Sequence, residues 1–329
     1  MNRSAWLRAL AGAAVLAAVA AWFPAGTFAG AVALVDGPAL LAALAAGVCT
    51  TVLSAARWWV VARGVGLRLP FARAVGDYYR AVFLNAVLPA GVLGDAHRAV
   101  SHGRYAGDLW RGVRAVVLER VAGQVVLMAT AAGVLFVLPT ALFGPGLRAV
   151  GVSAGVVAAA VLTGAAVLFL GRTRRPRWWL ALRDTAADTR AGVVANAVPV
   201  LALSVAALAG HVALFVYAAS LSGADAPALQ VVPLAVLSLL AMSLPVNVGG
   251  WGPREAVTAL AFAAAGLGSQ TGVTVSVVYG VLALVAALPG AVVPLVRWAQ
   301  AWRNRARPRE VSIVVRDADQ QPRERSGVR

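Results

Sequence analysis

Lysine is absent from this chain of 329 residues, so every one of its 29 basic residues is arginine. That absence removes the Gly-Lys phosphate loop on which nucleotide hydrolysis depends. There is a single cysteine, Cys49, set in an apolar run, so no internal disulfide can form. Histidine occurs three times, at His97, His102 and His211. His97 and His102 do not share a helical face and no Cys or carboxylate cluster joins them, so no metal site and no cofactor are expected. Charge is scarce as well: 13% of residues, about half the share of a soluble domain. So few acids and bases leave little material for catalysis.

What the chain has instead is hydrophobic length. Hydrophobic residues make up 60% of it, and mean hydropathy is +0.79. Residues 12–35, 121–147 and 256–296 are long stretches with almost no charge. A soluble core cannot absorb that much apolar chain, and the pattern is that of an all-α polytopic membrane protein. The net charge of +16 would suggest nucleic acid in a soluble protein. Here the arginines crowd the ends of apolar segments, as they do in cytoplasmic loops, which argues against nucleic-acid binding.

Six stretches are long enough to cross about 30 Å of hydrocarbon: 7–23, 39–61, 113–138, 150–170, 193–221 and 272–296. The first could be a signal peptide, but many spans follow and no small-residue cleavage site closes it, so a retained span is expected. Arg3 and Arg8 place the N-terminus inside. Arg63, Arg68 and Arg73 mark the next cytoplasmic loop, Arg172 to Arg190 another, and Arg297 to Arg309 a cytoplasmic C-terminus. The tryptophans, Trp58 among them, fall near span ends, where an aromatic belt belongs; Trp251 is the exception. The membrane domain is read as 1–302, and 303–329 as a disordered basic tail able to lie on anionic lipid.

Two further apolar segments are broken. The first, 81–95, contains Pro89, Gly91, Gly94 and Asp95; the second, 243–255, contains Pro245, Gly249, Gly250, Gly252, Pro253, Arg254 and Glu255. Both flanks of the first are basic and both flanks of the second lack basic residues. Each is therefore expected to be a re-entrant hairpin, the two entering from opposite faces, which implies an inverted repeat. Non-helical backbone at this depth survives when buried in protein or lining a polar cavity. Broken segments at corresponding places in two halves point to a substrate site.

The candidate site residues follow from that placement. Pro253 suits the first helical position, and Glu255 in the first turn complements the dipole. The free N–H groups there, with Gly249 and Gly250 permitting close approach, could hold an anion, and Arg254 could add a charge-assisted fork. Equally, Arg254 and Glu255 could pair and close the hairpin. Asp95 is expected to cap the helix running toward Gly103. Arg98 could pair with Asp95 or contact a head group. Glu119, deep in its span, is expected to offset an arginine of the first hairpin, and Arg120 to snorkel toward the interface. Arg57, near the end of its span, reads as an anchor. Asn85 needs a partner if buried, which could be the broken backbone itself.

The ordered set Arg57-Trp58, Phe83-Leu84-Asn85, Leu88-Pro89, Gly94-Asp95, Arg98, Glu119-Arg120, Pro245, Gly249-Gly250, Gly252, Arg254-Glu255 and Pro289-Gly290 resembles the lysylphosphatidylglycerol synthase transmembrane family, a flippase-like domain. The resemblance runs from about Ala39 to Val296, with Ala90 and Leu93 where glycines are common. It implies movement of a phospholipid, or of a polyprenyl-phosphate-linked or other lipid-linked anion, between leaflets of the plasma membrane. Aminoacylation belongs to a soluble C-terminal domain of relatives and is not expected from residues 297–329. Two other readings stand beside it: a membrane scaffold for a lipid or glycan synthase, self-associating or bound to that partner, and an enzyme acting on a polyprenyl phosphate.

Overall fold

The computed structural model describes residues 25–88, 93–137, 178–243 and 252–292. The expected spans 7–23 and 150–170, the basic tail, and Gly249, Gly250 and Trp251 lie outside the described residues. Every element found among the described residues is helical. In chain order they are α1 (Ala25–Ala33), α2 (Gly37–Gly64), α3 (Phe71–Val87), α4 (Leu93–Ala106), α5 (Leu109–Val137), α6 (Trp178–Thr189), α7 (Ala197–Leu221), α8 (Ala228–Met242), α9 (Pro253–Ala264) and α10 (Ser269–Ala287). A π-helical turn, Arg190–Val194, links α6 to the approach of α7.

Four of these helices are long and apolar enough to cross a membrane: Gly37–Gly64, Leu109–Val134, Ala197–Leu221 and Ser269–Val292. They coincide with the four expected spans that fall within the described residues. Their outer faces carry side chains that water would not tolerate in a row. Val198 is 80% exposed on α7, with Leu201 and Val205 on the same helix, and Leu41 is 70% exposed on α2. A helix that is apolar all round belongs in lipid rather than at a water-facing surface.

The helix starts and stops follow local chemistry. Asp36 caps α2, its Oδ1 accepting from the Ala39 N–H at 2.8 Å, with Pro38 in the first turn. Gly252 stands before α9 at φ +111°, a conformation that an L side chain rarely adopts. Both broken segments become helix pairs: α3 packs on α4, and α8 on α9. Residues 89–92, between α3 and α4 in the chain, and 244–251, between α8 and α9, lie outside the described residues.

The order long helix, short pair, long helix occurs twice, as α2–α3–α4–α5 and α7–α8–α9–α10. The packing repeats with it. Within the units α4 lies on α5 as α9 lies on α10, and α2 meets α5 as α7 meets α10. Between them α2 packs on α7, and the cross-contacts are reciprocal: α8 lies against α5 while α3 lies against α10. Small residues allow these approaches, as between membrane helices generally. A Cβ on Gly47 of α2 would collide with Ala286 of α10, and one on Gly210 of α7 with the Thr50 side chain of α2.

Two large buried clusters and a small third one, Ala131 with Val236 and Leu240, are found among the described residues. One centres on Phe215, Leu234, Phe262 and Tyr279, between α7, α8, α9 and α10. The other centres on Trp58, Tyr78, Ala99 and Ala115, between α2, α3, α4 and α5. The first includes residues of the pair α8–α9 and the second residues of the pair α3–α4.

Candidate functional site

The first charged set is assembled by five helices. Glu119 of α5 is fully buried and sits at its centre. Its Oε1 accepts from Arg57 Nε at 3.0 Å and Nη2 at 2.5 Å, and from the Tyr78 hydroxyl at 3.2 Å. Its Oε2 accepts from Arg98 Nη2 at 2.9 Å. Arg57 Nη1 donates to Ser204 Oγ of α7 at 3.1 Å. Both carboxylate oxygens of Glu119 are thus held by guanidinium groups, the arrangement that a buried charge requires.

Arg57 is not an interfacial anchor. It is buried at 6% exposure, because the face of α5 opposite it is cut away at Gly123: a Cβ there would lie 2.9 Å from both terminal guanidinium nitrogens. Trp58 is likewise no belt residue. It is fully buried, and the Arg98 guanidinium lies over its ring at 4.5 Å and over that of Tyr78 at 4.3 Å. Arg98 Nε and Nη1 have no hydrogen-bond partner among the described residues, and the two aromatic rings offer the guanidinium cation–π contact instead.

Asp95 is not the cap of α4, which already begins at Leu93. Its side chain bridges α3, α4 and α5 instead. Oδ2 accepts from Asn85 Nδ2 at 3.0 Å and Oδ1 from Arg98 Nη2 at 2.9 Å. Asn85 Oδ1 in turn accepts from the Gly94 N–H at 2.8 Å, so Asn85 ties the end of α3 to the start of α4. Arg120 completes the set by pairing with Asp95 at 2.5 Å. It does not snorkel away from the cluster. Three guanidinium groups, Arg57, Arg98 and Arg120, therefore face two carboxylates, Asp95 and Glu119. Among the described residues of this set one positive charge is in excess.

The second set is balanced. Arg254 is 1% exposed. Its Nε donates to Glu255 Oε1 and to Ser276 Oγ, both at 3.0 Å, and its Nη2 to Glu255 Oε1 at 2.6 Å. The guanidinium lies 5.4 Å from the centre of the Tyr279 ring. Glu255 Oε2 accepts from the Gly252 N–H at 2.5 Å, so one of the donors at the start of α9 is already engaged by the chain. Arg254 and Glu255 thus pair with each other at the start of α9 and bind it to Ser276 of α10. Further along α9, Thr258 bonds Ser238 of α8 at 2.7 Å, fastening the two arms.

The structure thus brings Arg57, Asn85, Asp95, Arg98 and Glu119 into one connected network and holds Arg254 and Glu255 in another. Sequence reading missed Trp58, Tyr78 and Ser204 as members. Tyr78 carried a signal, since it lies two helical turns before Asn85 on the same face of α3. Ser204, one hydroxyl in an apolar run, carried none.

These features define a polytopic helical membrane protein with a buried arginine–carboxylate network between paired helices. Residues 9–317 match the family described as Lysylphosphatidylglycerol synthase TM region, and the chain belongs to that family. No curated protein and no solved structure matches it.

Proposed function

We propose that this protein binds and translocates a phospholipid or another lipid-linked anion between membrane leaflets, and that it is a translocator rather than an enzyme. The observation that carries this reading is the excess positive charge held between α2, α4 and α5. An anionic head group would complete that network, and uncompensated charge within a span marks a transport pathway more often than a structural need. Family membership supports a lipid-related role. The reading is tested in proteoliposomes with fluorescent phosphatidylglycerol in one arm and a fluorescent polyprenyl phosphate in the other. Protein-dependent loss of inner-leaflet signal to an external quencher is expected in one arm. Two arms no different from protein-free vesicles would overturn it.

The same proposal includes six spans in the plasma membrane, cytoplasmic termini, and two re-entrant pairs related as an inverted repeat. The repeated element order and the reciprocal packing of α8 on α5 and α3 on α10 support that arrangement. In a Cys49→Ala background, Arg68→Cys and Arg104→Cys, which flank the first pair, are expected to label from the cytoplasmic side. Asp225→Cys and Gln270→Cys, which flank the second, are expected to label from the opposite side. Labelling of Arg68→Cys and Arg104→Cys from different sides would make the first pair a full crossing.

A further inference from the structure

The three arginines of the first network are not equivalent. Arg57 is 8% exposed along its side chain and Arg98 0%, whereas Arg120 is 45% exposed. Arg57 is fixed by Glu119 and Ser204, and Arg98 by Glu119, Asp95 and two aromatic rings. Turning either toward a ligand would strip a fully buried Glu119 of a partner. Arg120 makes one ion pair, with Asp95.

Its depth makes that exposure informative. Arg120 lies about 16 Å along the axis of α5 from Leu109 at 1.5 Å per residue, and the residues that follow it to Val134 carry no charge. A guanidinium left to hydrocarbon beside that uncharged stretch is costly. A polar counterpart must meet it. One turn further along the same face of α5, Gln124 Nε2 donates to Ser243 Oγ at 3.0 Å, just past the end of α8. The Arg120 face of α5 therefore looks onto both helix pairs, with Asp95 of the first on one side and Ser243 of the second on the other.

Asp95 is suited to let Arg120 go. It also accepts from Asn85 and Arg98, so two donors remain when the third leaves. We infer that Arg120 is the residue that contacts the phosphate of the translocated lipid, and that it does so by exchanging Asp95 for that phosphate. The exchange replaces one charge-assisted bond by another of the same kind, and a guanidinium takes a phosphate in a two-pronged fork. The incoming negative charge cancels the excess positive charge of the network. This assignment rests on the lipid-phosphate reading above.

The test is native mass spectrometry of the purified full chain in detergent, titrated separately with phosphatidylglycerol, a polyprenyl phosphate and phosphatidylcholine, the last carrying no net charge. The wild type is expected to hold one of the two anionic lipids in preference to phosphatidylcholine, and which one identifies the source of the phosphate. Arg120→Gln is expected to weaken that binding at least about tenfold, the loss of one charge-assisted bond, and Arg120→Lys to recover part of it. A role confined to neutralising Asp95 makes a different prediction: Arg120→Gln combined with Asp95→Asn would regain both melting temperature and lipid. On the present assignment the double variant regains melting temperature and stays deficient in lipid. A wild type with no preference for either anionic lipid overturns the functional reading and this assignment with it. A preference that survives Arg120→Gln overturns the assignment alone.

Discussion

Glu119→Ala is expected to abolish the folded protein. The substitution leaves Arg57 and Arg98 facing each other with no shared carboxylate, both buried. Removing one partner of a buried ion pair typically costs about 3–5 kcal/mol, because the surviving charge stays desolvated. Here one side chain neutralises two cations, so the loss lies at or above the top of that range. Glu119→Gln keeps the shape and two hydrogen-bonding groups but not the charge, and is expected to be nearly as damaging. The readout is monodisperse yield in detergent and the melting temperature of what survives. A Glu119→Ala protein that purifies and melts like the wild type would show that Arg57 and Arg98 find other anions, and the network described here would not be what holds α2, α4 and α5 together.

Arg254→Ala is expected to be the second severe change. Before the geometry is considered, Arg254 could equally be a phosphate fork, and its loss would then spare stability. The structure gives it Glu255, Ser276 and Tyr279 as neighbours, at 1% exposure. Deleting it leaves the buried Glu255 carboxylate with the Ser276 hydroxyl and the Gly252 N–H alone. A loss of about 3–5 kcal/mol is expected again. The pair can be replaced more cheaply than it can be broken, since apolar or neutral groups of similar volume often match a buried ion pair. Arg254→Met with Glu255→Gln is therefore expected to recover most of the melting temperature that Arg254→Ala loses. If Arg254→Ala alone is as stable as the wild type, the pairing does not secure α9, and a contact with an outside anion becomes the better account of that arginine.

Much of the architecture was legible because it is written in one dimension. Apolar length marks the four described spans, and Pro and Gly at 81–95 and 243–255 mark the breaks between α3 and α4 and between α8 and α9. Asp95, Glu119 and Arg120 stand out as charges inside apolar runs. What could not be read was who meets whom. Arg57, close to the end of its span and beside Trp58, has the same local signature as an arginine that anchors a helix at the interface. Its burial depends on Gly123, in a different helix, leaving room for a guanidinium. The role of Asp95 turned on where α4 begins, a boundary of two residues that decides between capping a backbone and bridging two side chains. The Arg254–Glu255 alternatives differed only in side-chain direction, which spacing does not encode.

The reciprocal contacts of α8 with α5 and of α3 with α10 carry a mechanical consequence. Neither helix pair is seated entirely in its own half; each leans on the long helix that closes the other. A displacement of α5 would therefore be passed to α8, and one of α10 to α3, so neither half can be altered at its long helix without disturbing the helix pair of the other.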